Sequence, residues 1–384
     1  MDFDLTDEQR LLKDSVERMV ADRYGFEQRR AYLALPGGRD PALWAQCAEL
    51  GLLGLPLAEE YGGFGGGPVE TMLVMEAFGR GLVLEPYLPS VILGGGLVAA
   101  AGDAAQKRAI LPALAAGRMQ LAFAHLERRS RYDLADITTI ARADGAGFVL
   151  DGAKGVVLGG DTADTLIVSA RIGGARCDAD GIGLFLVAAD APGLTRRGYA
   201  TQDGLRAAEL TLAGTPATAL GAPGGALGVM RRIVDRAMAA LCAEAVGVMA
   251  AMHETTLEYL KTRKQFGRAI GEFQALQHRA VDMLVALEQA RSMALFATVM
   301  AESDDPAERG RAMAAAKAQI GRSGRHIGQE AIQLHGGIGM TMEYKVGHYF
   351  KRMTMIDQCF GDADTHLAQL ADAGSLFEAA EATG

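Results

Sequence analysis

Apolar and polar positions follow three successive regimes along this chain. Up to about residue 118 the spacing is helical. Thr6 and Gln9 form a capping box ahead of the apolar positions Leu11, Leu12, Val16 and Met19. Asp40-Pro41 places a cap residue before a proline, a second helix start. The apolar run Leu50–Leu57 ends in the turn Glu59-Glu-Tyr-Gly-Gly-Phe-Gly-Gly-Gly67, and helices are predicted near 69–82, 86–101 and 104–116. From Leu121 to about 215 the apolar runs shorten and are broken by Gly and Asp. Gly147–Leu150, Gly155–Leu158, Thr165–Val168 and Ile182–Val187 read as strands of an antiparallel sheet or barrel. Gly221–Gly225 reads as a linker. Beyond it Phe273, Leu276, Ala280, Met283, Leu284, Leu287, Ala290 and Met293 return to helical spacing. Helices near 226–262, 270–302 and 307–335 are long enough to form a bundle. The expected chain is mainly α with a central β domain, divided at 1–118, 119–222 and 223–384.

Composition narrows the function classes. The 384 residues carry a net charge of -9, which argues against a nucleic-acid partner. Basic side chains cluster locally at Arg128, Arg129 and Arg131. No apolar run is read as reaching the roughly 18 residues of a membrane span. The acidic start Met1-Asp-Phe-Asp-Leu-Thr-Asp7 argues against a signal peptide. Cys47, Cys177, Cys242 and Cys359 lie far apart and the histidines lack ligand spacing, so no metal site or disulfide framework is indicated. A reducing cytoplasm is the expected compartment.

Two segments carry candidate chemistry. Glu258–Arg268 ends one predicted helix and Glu272–His278 begins the next. An arginine there can hold a pyrophosphate bidentately, an aromatic can cover a flat ring, and glutamine amides can read polar edges. On spacing alone an ordinary charged helix hairpin fits as well. The second segment, Gln333-Leu-His-Gly-Gly-Ile-Gly339, ends another helix. Paired glycines admit close backbone approach to a ligand, although a helix C-cap also explains one or two of them. It is not a dinucleotide fingerprint, because it does not stand between a strand and a helix. The Gly62–Gly67 cluster is not a phosphate loop, because no Gly-Lys-Ser/Thr follows.

Taken in order, these segments resemble the acyl-CoA dehydrogenase family. The resemblance runs through Leu5–Arg10, Leu50–Pro56, Glu60–Gly65, Arg263–Gly267, Phe273-Gln274 and Gln333–Gly339. The nearest subgroup is that of the small subunits of pimeloyl-CoA-type dehydrogenases, which act with a larger partner. The resemblance implies a helical N-terminal domain, a middle antiparallel β-barrel and a C-terminal four-helix bundle. It also implies FAD as cofactor, an acyl-CoA substrate, α,β-dehydrogenation to a 2-enoyl-CoA, and electron-transfer flavoprotein as acceptor. Carried over residue by residue, the elements that touch the ADP half of FAD are Arg263, Phe266, Gln274, Gln333, Gly336 and Gly337, with Gln265 beside them. A CoA-site aspartate matches Asp235, but the arginine expected three residues on is Met238.

The departures from the family are specific. Its catalytic Glu position near the C-terminus holds Phe360, and the alternative position on the first bundle helix holds Ala237. Two substitute bases remain, Glu244 and Asp362. Glu244 shares a helix face with Ala237 about 10 Å further along. Its apolar sequence neighbours would raise its pKa. Each also reads as a structural carboxylate, Glu244 as one bonded to a neighbouring helix or chain. In the flavin-contacting segments, Leu126 replaces a threonine, Arg131-Tyr132 replaces Gly-Ser, Val156 replaces a tryptophan and Leu158 a threonine. Groups for the flavin ring and the base are lost while groups for the ADP end are kept. The expectation is a subunit of an α2β2 complex that completes the FAD site of a larger partner. A self-sufficient homotetramer with a relocated base and a catalytically silent assembly subunit are the alternatives. The subgroup resemblance favours a dicarboxylyl or bulky acyl group.

Overall fold

The computed structural model describes residues 4–374. In chain order the helices before the sheet are α1 (Asp7–Arg23), α2 (Phe26–Leu33), α3 (Pro41–Glu49), α4 (Pro68–Gly81), α5 (Gly96–Ala101) and α6 (Ala104–Ala115). The Thr6–Gln9 capping box is present at α1, and Asp40 caps α3 through the Ala42 amide. The segment before α5, Leu88–Gly95, winds as a π-helix rather than an α-helix. Strands β1 (Leu121–Ala124), β2 (Ile140–Asp144), β3 (Gly147–Leu158), β4 (Thr165–Arg171), β5 (Ile182–Ala188), β6 (Leu194–Ala200) and β7 (Arg206–Ala219) follow. The rest is helical: α7 (Leu227–Thr262), a two-strand hairpin β8 (Lys264–Gln265) and β9 (Arg268–Ala269), then α8 (Gln274–Met300), α9 (Pro306–His335), α10 (Lys345–Gln358) and α11 (Ala363–Asp372).

The described chain clusters into two compact units that do not follow chain order. One contains Glu27–Thr71 and Leu84–Ala237, hence the whole sheet. Strands β4, β2, β3, β7 and β5 pair successively, and β5 returns to β4, so the sheet closes into a barrel. Closure pairs these five strands on both sides, while β1 and β6 flank them, paired only to β4 and β7. The core is small and aliphatic around Phe185, with Leu150, Leu166, Val168 and Leu210 fully buried. The expected antiparallel pairing holds except where β1 runs parallel to β4, and where β2 and β4 meet in parallel at Ile140 and Arg171. The two runs 147–150 and 155–158 are one strand. Register shifts after Leu150 and Lys154 break its alternation without ending it. Gly221–Gly225 does not hang free, because the Gly224 and Ala226 amides bond to the Ile182 carbonyl.

The other unit contains the chain up to Phe26, Met72–Val83 and everything from Met238 on. Here α8, α10 and α11 pack on α9. The C-terminal part of α4 crosses α7 at two glycines. A Cβ on Gly79 would lie 2.1 Å from the Glu244 carbonyl oxygen, and one on Gly247 would lie 1.9 Å from that of Glu76. Only glycine allows that approach. One expectation needs correction: α8 is long and apolar enough to cross a membrane by length and composition. It carries a buried stripe of Ala280, Met283, Leu287, Ala290 and Ala294, and its packing on α9 accounts for that stripe. Leu276 to Leu287 looked amphipathic in sequence, but Val281, Leu284 and Val285 are exposed, which widens the apolar face.

Candidate functional site

The two candidate segments meet at one end of the bundle unit. Helix α7 stops at Thr262, and the chain turns back through the β8–β9 hairpin. Gln265 pairs with Arg268 across a two-residue turn, Phe266-Gly267. Both turn residues have positive φ, +52° and +81°. That is the geometry of a tight hairpin whose twist matches its strands. Phenylalanine in this region costs about 1–2 kcal/mol relative to a right-handed residue. Phe266 is also 91% exposed, so its own unit does not compensate with burial. Its ring stands edge-on to Phe273 at 6.2 Å, and Arg268 lies over the Phe273 ring at 4.2 Å.

Helix α9 ends at His335. Gly336 takes a backbone conformation of φ 62° and ψ -140°, and Gly336–Met340 follows as a 3-10 turn. A Cβ on either Gly336 or Gly337 would meet nothing within 4 Å. These glycines therefore leave open space above the backbone and are not demanded by neighbouring side chains.

An aromatic cluster joins the two segments. Tyr259, one turn before Arg263, stacks on His335 at 4.5 Å, and Tyr344 lies 5.0 Å from His335. His335 Nδ1 donates to the Ala331 carbonyl at 2.7 Å. Its Nε2 is buried without a hydrogen-bond partner. Burial holds the imidazole below its usual pKa, so Nε2 is an acceptor. His335 stood inside the glycine motif, yet the sequence did not single it out. Its aromatic neighbours are remote in sequence, so only the fold reveals them.

The residues expected at the ADP end are displayed together. Arg263, Gln265, Phe266, Gln274, Gln333, Gly336 and Gly337 are all exposed. The Arg263 guanidinium has no ion-pair or hydrogen-bond partner among the described residues. Phe266, Ile338, Met340 and Met342 are large exposed apolar side chains on the same segments. The donor set, the open glycine backbone and the bare aromatic fit the diphosphate and adenosine end of FAD.

The positions that the resemblance sets at the flavin ring lie on the barrel unit. Leu126, Val156 and Leu158 offer no side-chain hydrogen bond. Val156 has φ +46° at the β3 bulge and is 41% exposed, with its amide bonded to Glu209 Oε1 at 3.3 Å. Tyr199 donates to the same oxygen at 2.8 Å. A cavity of about 250 Å³ opens among Arg197, Gly198, Tyr199 and Glu209. Behind this surface Lys154 and Glu127 form a buried pair at 2.8 Å. Glu127 also accepts from both the amides and hydroxyls of Thr138 and Thr139. Burial would raise its pKa, but the Lys154 charge and these hydrogen bonds outweigh that and bring it to about 2.

The base candidates resolve differently from an isolated carboxylate. Glu244 is buried, and its two oxygens accept from Arg352 Nε and a terminal nitrogen at 2.6 and 2.7 Å. Of its two readings, a relocated base and a carboxylate bonded to a neighbouring helix, the pairing fits the second. Arg352 comes from α10, 108 residues away, and was not visible from the local pattern. Asp362 caps α11, accepting from the Thr365 hydroxyl and amide, which hold its carboxyl below the usual range. Phe360 is half-buried with φ +59°, and Ala237 is fully buried. Asp235 is buried on α7 in the barrel unit, with Met238 also buried.

Three family models match the chain. They are the acyl-CoA dehydrogenase N-terminal domain over residues 6–118, the middle domain over 122–213 and the C-terminal domain over 227–374. A probable acyl-CoA dehydrogenase of Bacillus subtilis (strain 168), YngJ, is 29% identical over 98% of this chain and 100% of its own length. Among solved structures, a variant of the Tcur3481–Tcur3483 steroid ACAD is 33% identical, with TM-score 0.87, covering 97% of this chain and 99% of that one. The ChsE4–ChsE5 complex from Mycobacterium tuberculosis is 27% identical, with TM-score 0.86 and full coverage of both chains.

Proposed function

This chain belongs to the acyl-CoA dehydrogenase family of flavin oxidoreductases, and from that premise we propose that it completes the FAD site of a larger, related partner subunit. We read the sequence as three segments, 1–118, 119–222 and 223–384, which the two compact units of the described chain do not follow. The observation that carries the reading is Phe266, bare to solvent at the tip of a hairpin in a costly backbone conformation. Such strain persists where function retains it. A cofactor seated chiefly on another chain would supply the missing cover.

The residues divide the work. Arg263 grips the diphosphate with its fork of N–H donors. Phe266 covers a flat ring, Gln265, Gln274 and Gln333 read polar edges, and Gly336-Gly337 admits the cofactor against the backbone. Bound by these residues, FAD would supply the acceptor for the β-hydrogen of the acyl-CoA. The α-proton would go to a carboxylate of the partner, because Phe360 and Ala237 cannot accept it, Glu244 is committed to Arg352 and Asp362 caps α11. The product is a 2-enoyl-CoA, and the electrons pass to electron-transfer flavoprotein. The reading supports an α2β2 assembly in the cytoplasm, where Cys47, Cys177, Cys242 and Cys359 remain free thiols. Two of the similar solved structures are named as pairs of chains, which favours a heteromer over a homotetramer. Exposed Ile338, Met340 and Met342 beside the glycine turn give such a partner an apolar contact.

The test is Arg263→Gln in the chain assembled with the proposed larger subunit. Flavin content per complex should fall while assembly persists. Unchanged flavin content would contradict the assignment.

A further inference from the structure

Arg263 and Phe266 lie on the hairpin after α7, whereas Gly336 and Gly337 follow α9, far along the chain. Three aromatic side chains bridge the two segments. Tyr259 stacks on His335 at 4.5 Å with 29° between the ring planes. Tyr344 lies 5.0 Å from His335 and stands edge-on to Tyr259 at 6.3 Å. Each ring is tied to a different piece of the backbone. The Arg263 amide bonds to the Tyr259 carbonyl at 2.8 Å, and the Arg263 carbonyl accepts from the Ile270 amide at 2.8 Å, closing the hairpin. His335 is the last residue of α9, immediately before Gly336. The glycine turn folds back on it, since a Cβ on Gly339 would lie 3.0 Å from the His335 Cβ. Tyr344 is the residue that precedes α10.

The ring at the centre of this bridge is 3% exposed and short of a hydrogen bond. Its Nδ1 is used by the Ala331 carbonyl, and its Nε2 has no partner among the described residues. The titratable groups that face it are two phenols, Tyr259 from the end of α7 and Tyr344 from the segment before α10. No charged side chain acts on the imidazole, and burial outweighs the Ala331 hydrogen bond, so its pKa lies below the ordinary 6.5. A proton on Nε2 would create a buried donor with no acceptor, beside a buried charge with no counter-ion. That state is relieved only by opening the stack to water. The cost is absent above pH 6.5 and grows as pH falls below it.

We propose that Tyr259, His335 and Tyr344 are positioning residues that hold the hairpin and the glycine turn as one preformed grip, closed only while His335 is neutral. The proposal rests on the reading of those two segments as a cofactor site. None of the three side chains needs to touch the cofactor. Their effect is to spare it the cost of ordering two separate segments on binding. Acid should therefore loosen the grip and release the cofactor.

The experiment follows FAD release from the complex with the proposed larger subunit, by the fluorescence of freed flavin, from about pH 8 down to about pH 5. The parent should retain FAD at the upper end and lose it progressively below pH 6.5. His335→Phe keeps a ring for Tyr259 to stack on and removes the titrating nitrogen. It should match the parent at pH 8 and retain FAD in acid. Tyr259→Leu removes the stack and should weaken FAD binding about 10-fold at pH 8, and Tyr259→Phe should restore it. If Tyr259→Leu fails to fold, Tyr344→Leu takes its place with the same expected loss. A release profile that His335→Phe leaves unchanged overturns the proposal, as does parent affinity in the leucine variant. Arg263→Gln in the same assay separates the two claims. If it loses FAD while the leucine variant does not, only the positioning role fails. If it retains FAD as the parent does, the cofactor reading fails and takes this proposal with it.

Discussion

Glu244 on α7 and Arg352 on α10 form a buried bidentate pair, with both carboxylate oxygens within 2.7 Å of the guanidinium. A carboxylate so held is a structural brace between two bundle helices. Removing one partner of such a pair leaves a buried charge uncompensated and costs about 3–5 kcal/mol. Glu244→Gln should therefore lower the thermal midpoint markedly. The fraction that remains folded in the assembled complex should turn over at the parent rate. A folded variant with abolished turnover would return Glu244 to the role of base.

Gly337→Ala separates the fold from the ligand. The added methyl meets nothing within 4 Å, so no clash arises. Stability should hold or rise by about 0.4–1 kcal/mol through the unfolded chain. Flavin content of the complex should nevertheless fall, because the methyl enters the space a cofactor would use. Thermal melts and flavin absorbance on one preparation check both halves.

Phe266→Asn should behave in the same opposed way. Asparagine is favoured where a tight hairpin turn needs positive φ, and phenylalanine is not. The variant should be more stable by about 1 kcal/mol. It should also hold flavin less well, since the ring that covers the cofactor is gone.

Acid should weaken the barrel unit through Glu127. Its folded pKa, about 2, lies below the ordinary carboxylate value of 4.5. The contribution to stability is present above pH 4.5 and is lost as pH falls towards 2, on the order of 3 kcal/mol in full. Glu127→Gln should flatten the stability profile across that window, as measured by denaturant midpoints at successive pH values.

Long helices and caps were legible in the sequence because their signals are local. Thr6 with Gln9 and Asp40 with Pro41 cap the helices they predicted, and α7 begins and ends within a residue of its expected limits. The ADP-end segments were legible as motifs, but not the Tyr259–His335–Tyr344 cluster that brings them together. The parallel placement of β1 against β4 depends on sequence-distant pairing, which alternation along one strand cannot encode. Glu244 shows the same limit. Its neighbours in sequence are apolar, and the partner that decides its chemistry lies on another helix.

The most direct measurement is flavin stoichiometry and acyl-CoA turnover for this chain alone and for the chain assembled with its larger partner. The account predicts little flavin and no turnover for the lone chain, with both present in the complex. Full flavin loading and turnover by the lone chain would contradict it.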